Sequence, residues 1–242
     1  MKKLTLVAIT FLFASTANAQ WWGVGKKIKG NGNMTKITRT TSDYDAINCA
    51  GSLDYILVAG NEGNITIEGE ENLLEYIITE VKDGNLIVKT KNNFYLKTSY
   101  NKTIKITIPF KDIDEVSLAG SGDLWNEDKI TANKLEVSLA GSGDIVLDVE
   151  ATSVDGSLSG SGDMTLKGST NDLEVSLAGS GDVHGFGLQA NNTDVSVAGS
   201  GDIKIVSNKS LKARVSGSGD IQYKGNPTKE DTKVSGSGSI SN

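Results

Sequence analysis

The chain has 242 residues, 37% of them apolar, with 28 glycines, 2 prolines and a formal net charge of −6. That supply of apolar residues fits one or two cored domains and excludes a disordered composition, and the acidic balance excludes nucleic acid as a natural partner. One cysteine, Cys49, excludes an intrachain disulfide and reads as a small buried residue.

Residues 1–19 have the form of a secretory signal. Lys2 and Lys3 precede an apolar run from Leu4 to Ala14, and Ala17-Asn18-Ala19 is a small-residue cleavage site. The run is too short to span a bilayer, and no later segment qualifies. The expectation is an exported protein without a transmembrane segment, placed in the periplasm, on the cell surface or outside the cell. Residues 20–33, including Trp21 and Trp22, lack periodicity and read as a flexible leader.

Residues 34–110 read as a more irregular β region. Asp54–Val58, Asn64–Glu68, Leu86–Lys89 and Ile104–Ile108 are short and rich in β-branched residues. Asp83-Gly84 predicts a tight hairpin between Ile77–Val81 and Leu86–Lys89. Glu71–Tyr76 is a minor helical turn for which Asn72 is the expected cap. Pro109 closes the region at a strand end.

Residues 111–242 repeat. Val-Ser-Leu-Ala-Gly-Ser-Gly-Asp occurs at 116–123, 137–144 and 175–182, with variants ending at Asp163, Asp202 and Asp220 and a last copy ending in Ser239. From Asp123 the intervals are 21, 19, 19, 20, 18 and 19 residues. Ala50-Gly51-Ser52-Leu53-Asp54 reads as a decayed early copy.

Parity gives the repeat its architecture. Leu135, Val137, Leu139, Gly141, Gly143, Ile145, Leu147 and Val149 share one face of an extended chain, and polar or small residues take the other. Glycines in the apolar phase mark a backbone with positive φ or one too close to a wall for a Cβ. Twenty residues cannot bury an apolar face alone, but stacked coils can. The expected fold is therefore all-β, a parallel β-solenoid with coils of 19–21 residues, and a sandwich of hairpins is the competing arrangement.

The sharpest candidate for chemistry is the column Asp123, Asp144, Asp163, Asp182, Asp202 and Asp220. Stacked carboxylates repel, which calls for a remedy. Each aspartate can accept N–H groups of its own turn, the column can hold Ca²⁺ through its oxygens, or its members can share protons. Turn capping is the leading reading, with no cofactor, and calcium is the alternative. The serine ladder Ser121, Ser142, Ser161, Ser180, Ser200 and Ser218 reads as tight-turn packing before glycan binding. His184, the sole histidine, lies in the outward phase and reads as a surface residue. One histidine and one cysteine make zinc a poor fit.

The Gly-Ser-Gly-Asp copies, Asp43-Tyr44-Asp45-Ala46-Ile47, and Asn72-Leu73-Leu74 followed by Thr79–Leu86 resemble the bacterial putative auto-transporter adhesin, head GIN domain, family. The resemblance covers most of residues 34–242. It implies a right-handed β-helix of pectin-lyase-like type and a role in adhesion or at the cell surface, and it brings no catalytic residues. The leading expectation is a non-catalytic, exported, adhesin-like module for an unknown glycan or protein ligand. A carbohydrate-active β-helix enzyme and a structural spacer are the alternatives. An uncapped solenoid end would also allow a homo-oligomer through Ser235–Asn242.

Overall fold

The structure, a computed structural model, describes residues 25–242. The expected signal at 1–19 and Trp21 and Trp22 lie outside the described residues. The fold is nearly all β, with a solenoid of about 7 turns and coils of about 19 residues. No helix among the described residues is long and apolar enough to cross a membrane.

The elements before the repeat are β1 (Lys26–Lys29), β2 (Met34–Thr40), β3 (Ala46–Gly51), β4 (Asp54–Ala59), β5 (Asn64–Glu70), α1 (Glu71–Leu74), β6 (Ile77–Lys82), β7 (Asn85–Thr90), β8 (Phe94–Lys97) and β9 (Lys105–Phe110). β6 and β7 form the expected antiparallel hairpin. Its turn residues Asp83 and Gly84 have φ of 50° and 77°, the pair of positive values a two-residue hairpin turn needs. β9 pairs in parallel with β4, and its antiparallel pairing with β5 ends at Thr107, before Pro109 would have to donate an N–H.

The helical turn forms, but Asn72 does not cap it. Its amide instead donates to the Lys29 carbonyl at 2.7 Å and accepts from the Asn31 N–H at 2.9 Å. Arg39 reaches the other end of α1 and donates to the carbonyls of Leu74 and Ile77. The leader also differs from expectation, because Lys26–Lys29 forms a strand parallel to β8 in a separate two-stranded ribbon. Partners distant in sequence supply its order, which is why the segment shows no periodicity of its own.

The repeat stacks in parallel and in register. Starting from β3, eight strands follow one another through 115–120, 136–141, 155–160, 174–179, 194–199, 212–217 and 231–236. Val116, Val137, Val175 and Val195 share one interior column, as do Leu118, Leu139, Leu158 and Leu177, all at most 2% exposed. The parallel ladder thus runs back through the residues before 111. Ala50-Gly51 pairs with Ala119-Gly120, and Tyr55 pairs with Leu124. Cys49 lies over Leu118, 2% exposed, and burial pushes its thiol pKa up.

In the central coils one strand runs from the residue after the aspartate to the next glycine, as in Ile145–Gly160 and Met164–Gly179. The Gly-Ser-Gly-Asp corner is the break between such strands. A second corner lies near Ala151–Ser153, where the buried phase passes from odd positions (Ile145, Leu147, Val149) to even ones (Val154, Leu158). The 20-residue interval between Asp182 and Asp202 is absorbed in the coil Val183–Gly199, whose register shifts between the partners of Thr165 and Lys167.

Candidate functional site: the aspartate corner and the polar cleft

The corner accounts for each of its backbone donors. The Gly141 carbonyl accepts from Ser161 N–H at 2.8 Å and Gly162 N–H at 3.1 Å in the next coil. The Gly160 carbonyl does the same for Ser180 and Gly181, at 2.9 and 3.1 Å. The residue after each aspartate donates the opposite way, as Met164 N–H does to the Asp182 carbonyl at 2.9 Å. That leaves the N–H of the aspartate itself, and the carboxylate of the preceding coil takes it. Asp163, Asp182, Asp202 and Asp220 donate their N–H groups to Oδ1 of Asp144, Asp163, Asp182 and Asp202 at 3.0, 2.9, 2.8 and 2.8 Å. Asp144 bonds Asp123 at 3.3 Å.

This corrects the expected capping geometry. The aspartate is an acceptor, but the donor belongs to the next coil, not to its own turn. The side chain substitutes for a backbone carbonyl where the ladder turns the corner, so the aspartate N–H groups stay paired along the stack. The last copy follows the same logic. Ser239 takes the aspartate's place there, and its N–H and hydroxyl both donate to Asp220.

An acceptor role requires an oxygen, not a charge. Asp182→Asn is therefore expected to fold with stability within about 0.5 kcal/mol of wild type, while Asp182→Ala loses about 1–2 kcal/mol by orphaning the Asp202 N–H. Urea denaturation of the three proteins checks this, and equal losses for Asn and Ala would contradict it. Because Oδ1 is already engaged by an amide, millimolar calcium is expected to leave the melting temperature unchanged; a rise of several degrees that EDTA reverses would contradict that.

His184 joins the column on its outer face. Its Nε2 lies 3.8 Å from Asp163 Oδ2, and one ligand atom each from Asp163, Asp182 and His184 fall within 4.8 Å of one another. Among the described residues Asp123, Asp144, Asp202 and Asp220 enter no such set. The serine hydroxyls of the corner flank the aspartates from the exposed phase, as the parity predicts.

Sequence reasoning missed a second polar surface at the other corner. An open cleft of about 460 Å³ crosses several coils there and is lined by Asp172, Asn192, Asp194, Ser210 and Lys212 among others. Its groups form rungs. Asn192 donates to Asp172 at 2.8 Å, Ser210 donates to Asn192 at 2.9 Å, and Lys212 pairs with Asp194 at 2.7 Å. Asn192 and Asn171 together hold the Asp172 carboxyl below the usual range. Asn133, Thr152, Asn171 and Asn191 recur at intervals of 19, 19 and 20, a signal visible in the sequence once the parity slip is noticed.

Comparison with known proteins fits this geometry. The solved structure of a putative adhesin from Bacteroides fragilis matches with a TM-score of 0.80 and 25% identity, covering 89% of this chain and 99% of that one. A putative lipid binding protein from Parabacteroides distasonis matches with a TM-score of 0.76 and 29% identity over the same shares. A putative adhesin from Parabacteroides distasonis, at 24% identity and a TM-score of 0.71, shares the fold. No curated protein matches the chain. The family model described as putative auto-transporter adhesin, head GIN domain, matches residues 43–227, and the chain belongs to that family.

Proposed function

We propose that this chain is an exported, non-catalytic, adhesin-like module that binds a ligand at the cell surface. The observation that carries the reading is what the repeat spends its polar side chains on. The column aspartates accept backbone N–H groups of the next coil, and the cleft residues pair with one another. Such groups build a rigid display surface. A catalytic acid or base needs a free, tuned carboxylate or imidazole instead.

The lipid reading suggested by one structural relative has less support. The coil interior is filled by Val, Leu and Ile side chains at 0–3% exposure, and an acyl chain needs an apolar cavity of its own. Self-association through Ser235–Asn242 is also disfavoured. The strand Lys229–Gly236, which stacks on 210–217, carries Lys229, Glu230, Asp231 and Lys233, and such charges discourage strand-on-strand pairing with a second copy.

The test is paired. Beads coated with residues 20–242 are expected to be retained on cell surfaces or on a glycan array, and a panel of polysaccharides incubated with the protein is expected to release no product. Turnover of any member would replace this reading with the carbohydrate-active enzyme. Absence of retention on every surface would leave the spacer.

A further inference from the structure

Charge is segregated along this molecule. Residues 25–111 carry twelve cationic and ten acidic side chains, whereas residues 112–242 carry ten cationic and twenty acidic ones. Two stretches, 25–42 and 84–111, contain no acidic residue and hold five and six cations. The fold brings these stretches together as the ribbon of β1 and β8, with Lys27 beside Tyr95 and Lys29 beside Lys97. Ile28 and Leu96 turn inward against the core, and Phe94 stacks on Tyr76 with ring centroids 4.7 Å apart. The outer face is left with Lys27, Lys29, Tyr95 and Lys97, all exposed.

At the end of the ribbon an open cleft of about 530 Å³ is lined by Lys29, Gly30, Lys97, Thr98, Ser99 and Tyr100. Tyr100 is 91% exposed and Tyr95 is 64% exposed. Lys26, Lys27, Lys29 and Lys97 form no ion pair among the described residues. The carboxylate beneath the floor, Glu70, is itself buried and takes hydrogen bonds from Ser99 and Gly32 with Lys102 nearby.

We infer that this lysine and tyrosine cleft on the β1–β8 ribbon is a docking site for an acidic polysaccharide. The inference rests on the adhesin-like reading above and names the ligand class. Two lysines side by side match a repeating anionic group. An exposed tyrosine ring offers a flat apolar body with a polar tip to a sugar ring, and the Thr98 hydroxyl beside it suits a polyhydroxylated ligand. A bilayer fits less well. Interfacial binders present apolar side chains to the acyl boundary, and here Ile28 and Leu96 pack against the core while Phe94 is covered by Tyr76. The acidic solenoid would repel the same polyanion, which confines it to the ribbon end.

Calorimetric titration of residues 20–242 with polygalacturonate, with neutral dextran and with phosphatidylglycerol vesicles tests the inference. Polygalacturonate is expected to bind and dextran is not. K29E/K97E should weaken binding at least about tenfold and flatten its salt dependence. Y100A should weaken it about fivefold through lost ring contact. K167E/K233E, on the solenoid, should leave it unchanged, and all variants should melt with wild type because the altered side chains are exposed. Absence of polygalacturonate binding, indifference to both K29E/K97E and Y100A, or capture of the vesicles in preference to polygalacturonate would overturn the inference. Retention of coated beads on cells with no polygalacturonate binding would remove this site while leaving the adhesin-like reading intact.

Discussion

Gly181→Ala is expected to cost about 3 kcal/mol or more, and Gly156→Ala to gain about 0.5 kcal/mol, although both add one methyl to the same solenoid. A Cβ at Gly181 would sit 1.9 Å from the Gly162 carbonyl oxygen of the coil below. That oxygen cannot yield, because the coil spacing is fixed on both sides by hydrogen bonds, Gly181 N–H to the Gly160 carbonyl and Asp182 N–H to the Asp163 carboxylate. Gly179 could not take the methyl either. Its φ is +137°, and its Cβ would meet the Gly160 oxygen at 2.2 Å. The two glycines of each corner therefore have different reasons. The first needs both a left-handed backbone and clearance, while the second needs clearance alone.

Gly156 is different in kind. It occupies the interior column between Val137 and Val175, and its Cβ would meet Met164 Sδ and Val175 Cγ2 at 3.5 Å. That is ordinary contact, so alanine fills space and stiffens the unfolded chain. Urea denaturation gives both values. A near-neutral Gly181→Ala would mean the coils do not approach as closely as their carbonyls require. Because a solenoid is held by nearest-neighbour interfaces, Gly181→Ala should also raise amide exchange in the two adjoining coils before the rest of the rod.

The first coil shows why the rule is local. Gly51 has φ +117°, yet its Cβ would meet only Thr90 Oγ1 at 3.5 Å, and Leu53 stands where later copies have the second glycine. No Gly-Ser-Gly corner lies beneath this coil, so a side chain fits. The copy at Ala50–Asp54 therefore departs from the repeat at the position where the steric constraint is absent. Parity and interval made the solenoid legible, because identical neighbours repeat identical environments. The partner of the aspartate was not legible. Its donor is 18–21 residues away in the chain, and a sequence shows the acceptor without showing the donor. The second corner was written in the change of phase between Val149 and Val154. The ribbon was not, since Lys26–Lys29 takes its order from Glu70, Asn72 and β8.

Glu70 makes that dependence testable. Its side chain is 0% exposed and accepts the Ser99 N–H at 2.8 Å, the Ser99 hydroxyl at 2.6 Å and the Gly32 N–H. A Cβ on Gly30 would fall 2.0 Å from its Oε2, so the strand end passes directly over the carboxylate. Glu70→Ala should strand these donors and cost about 3 kcal/mol, first seen as rapid amide exchange at Lys26–Lys29 and Phe94–Lys97. The effect also has a pH signature. Burial disfavours the ionised form, but the Ser99 hydroxyl and amide, the Gly32 N–H and the Lys102 charge outweigh it, and the carboxyl titrates below its ordinary value. A carboxyl lowered by folding binds fewer protons in the native state. Its contribution is fully present above the unfolded value of about 4.3 and is lost as pH falls through the folded one. Glu70→Gln keeps an acceptor without the charge. The stability difference between wild type and Glu70→Gln should accordingly hold constant from pH 7 to about 5 and shrink below about 4. A difference that stays constant into acid would show that shape, and not the ionised carboxylate, secures the ribbon.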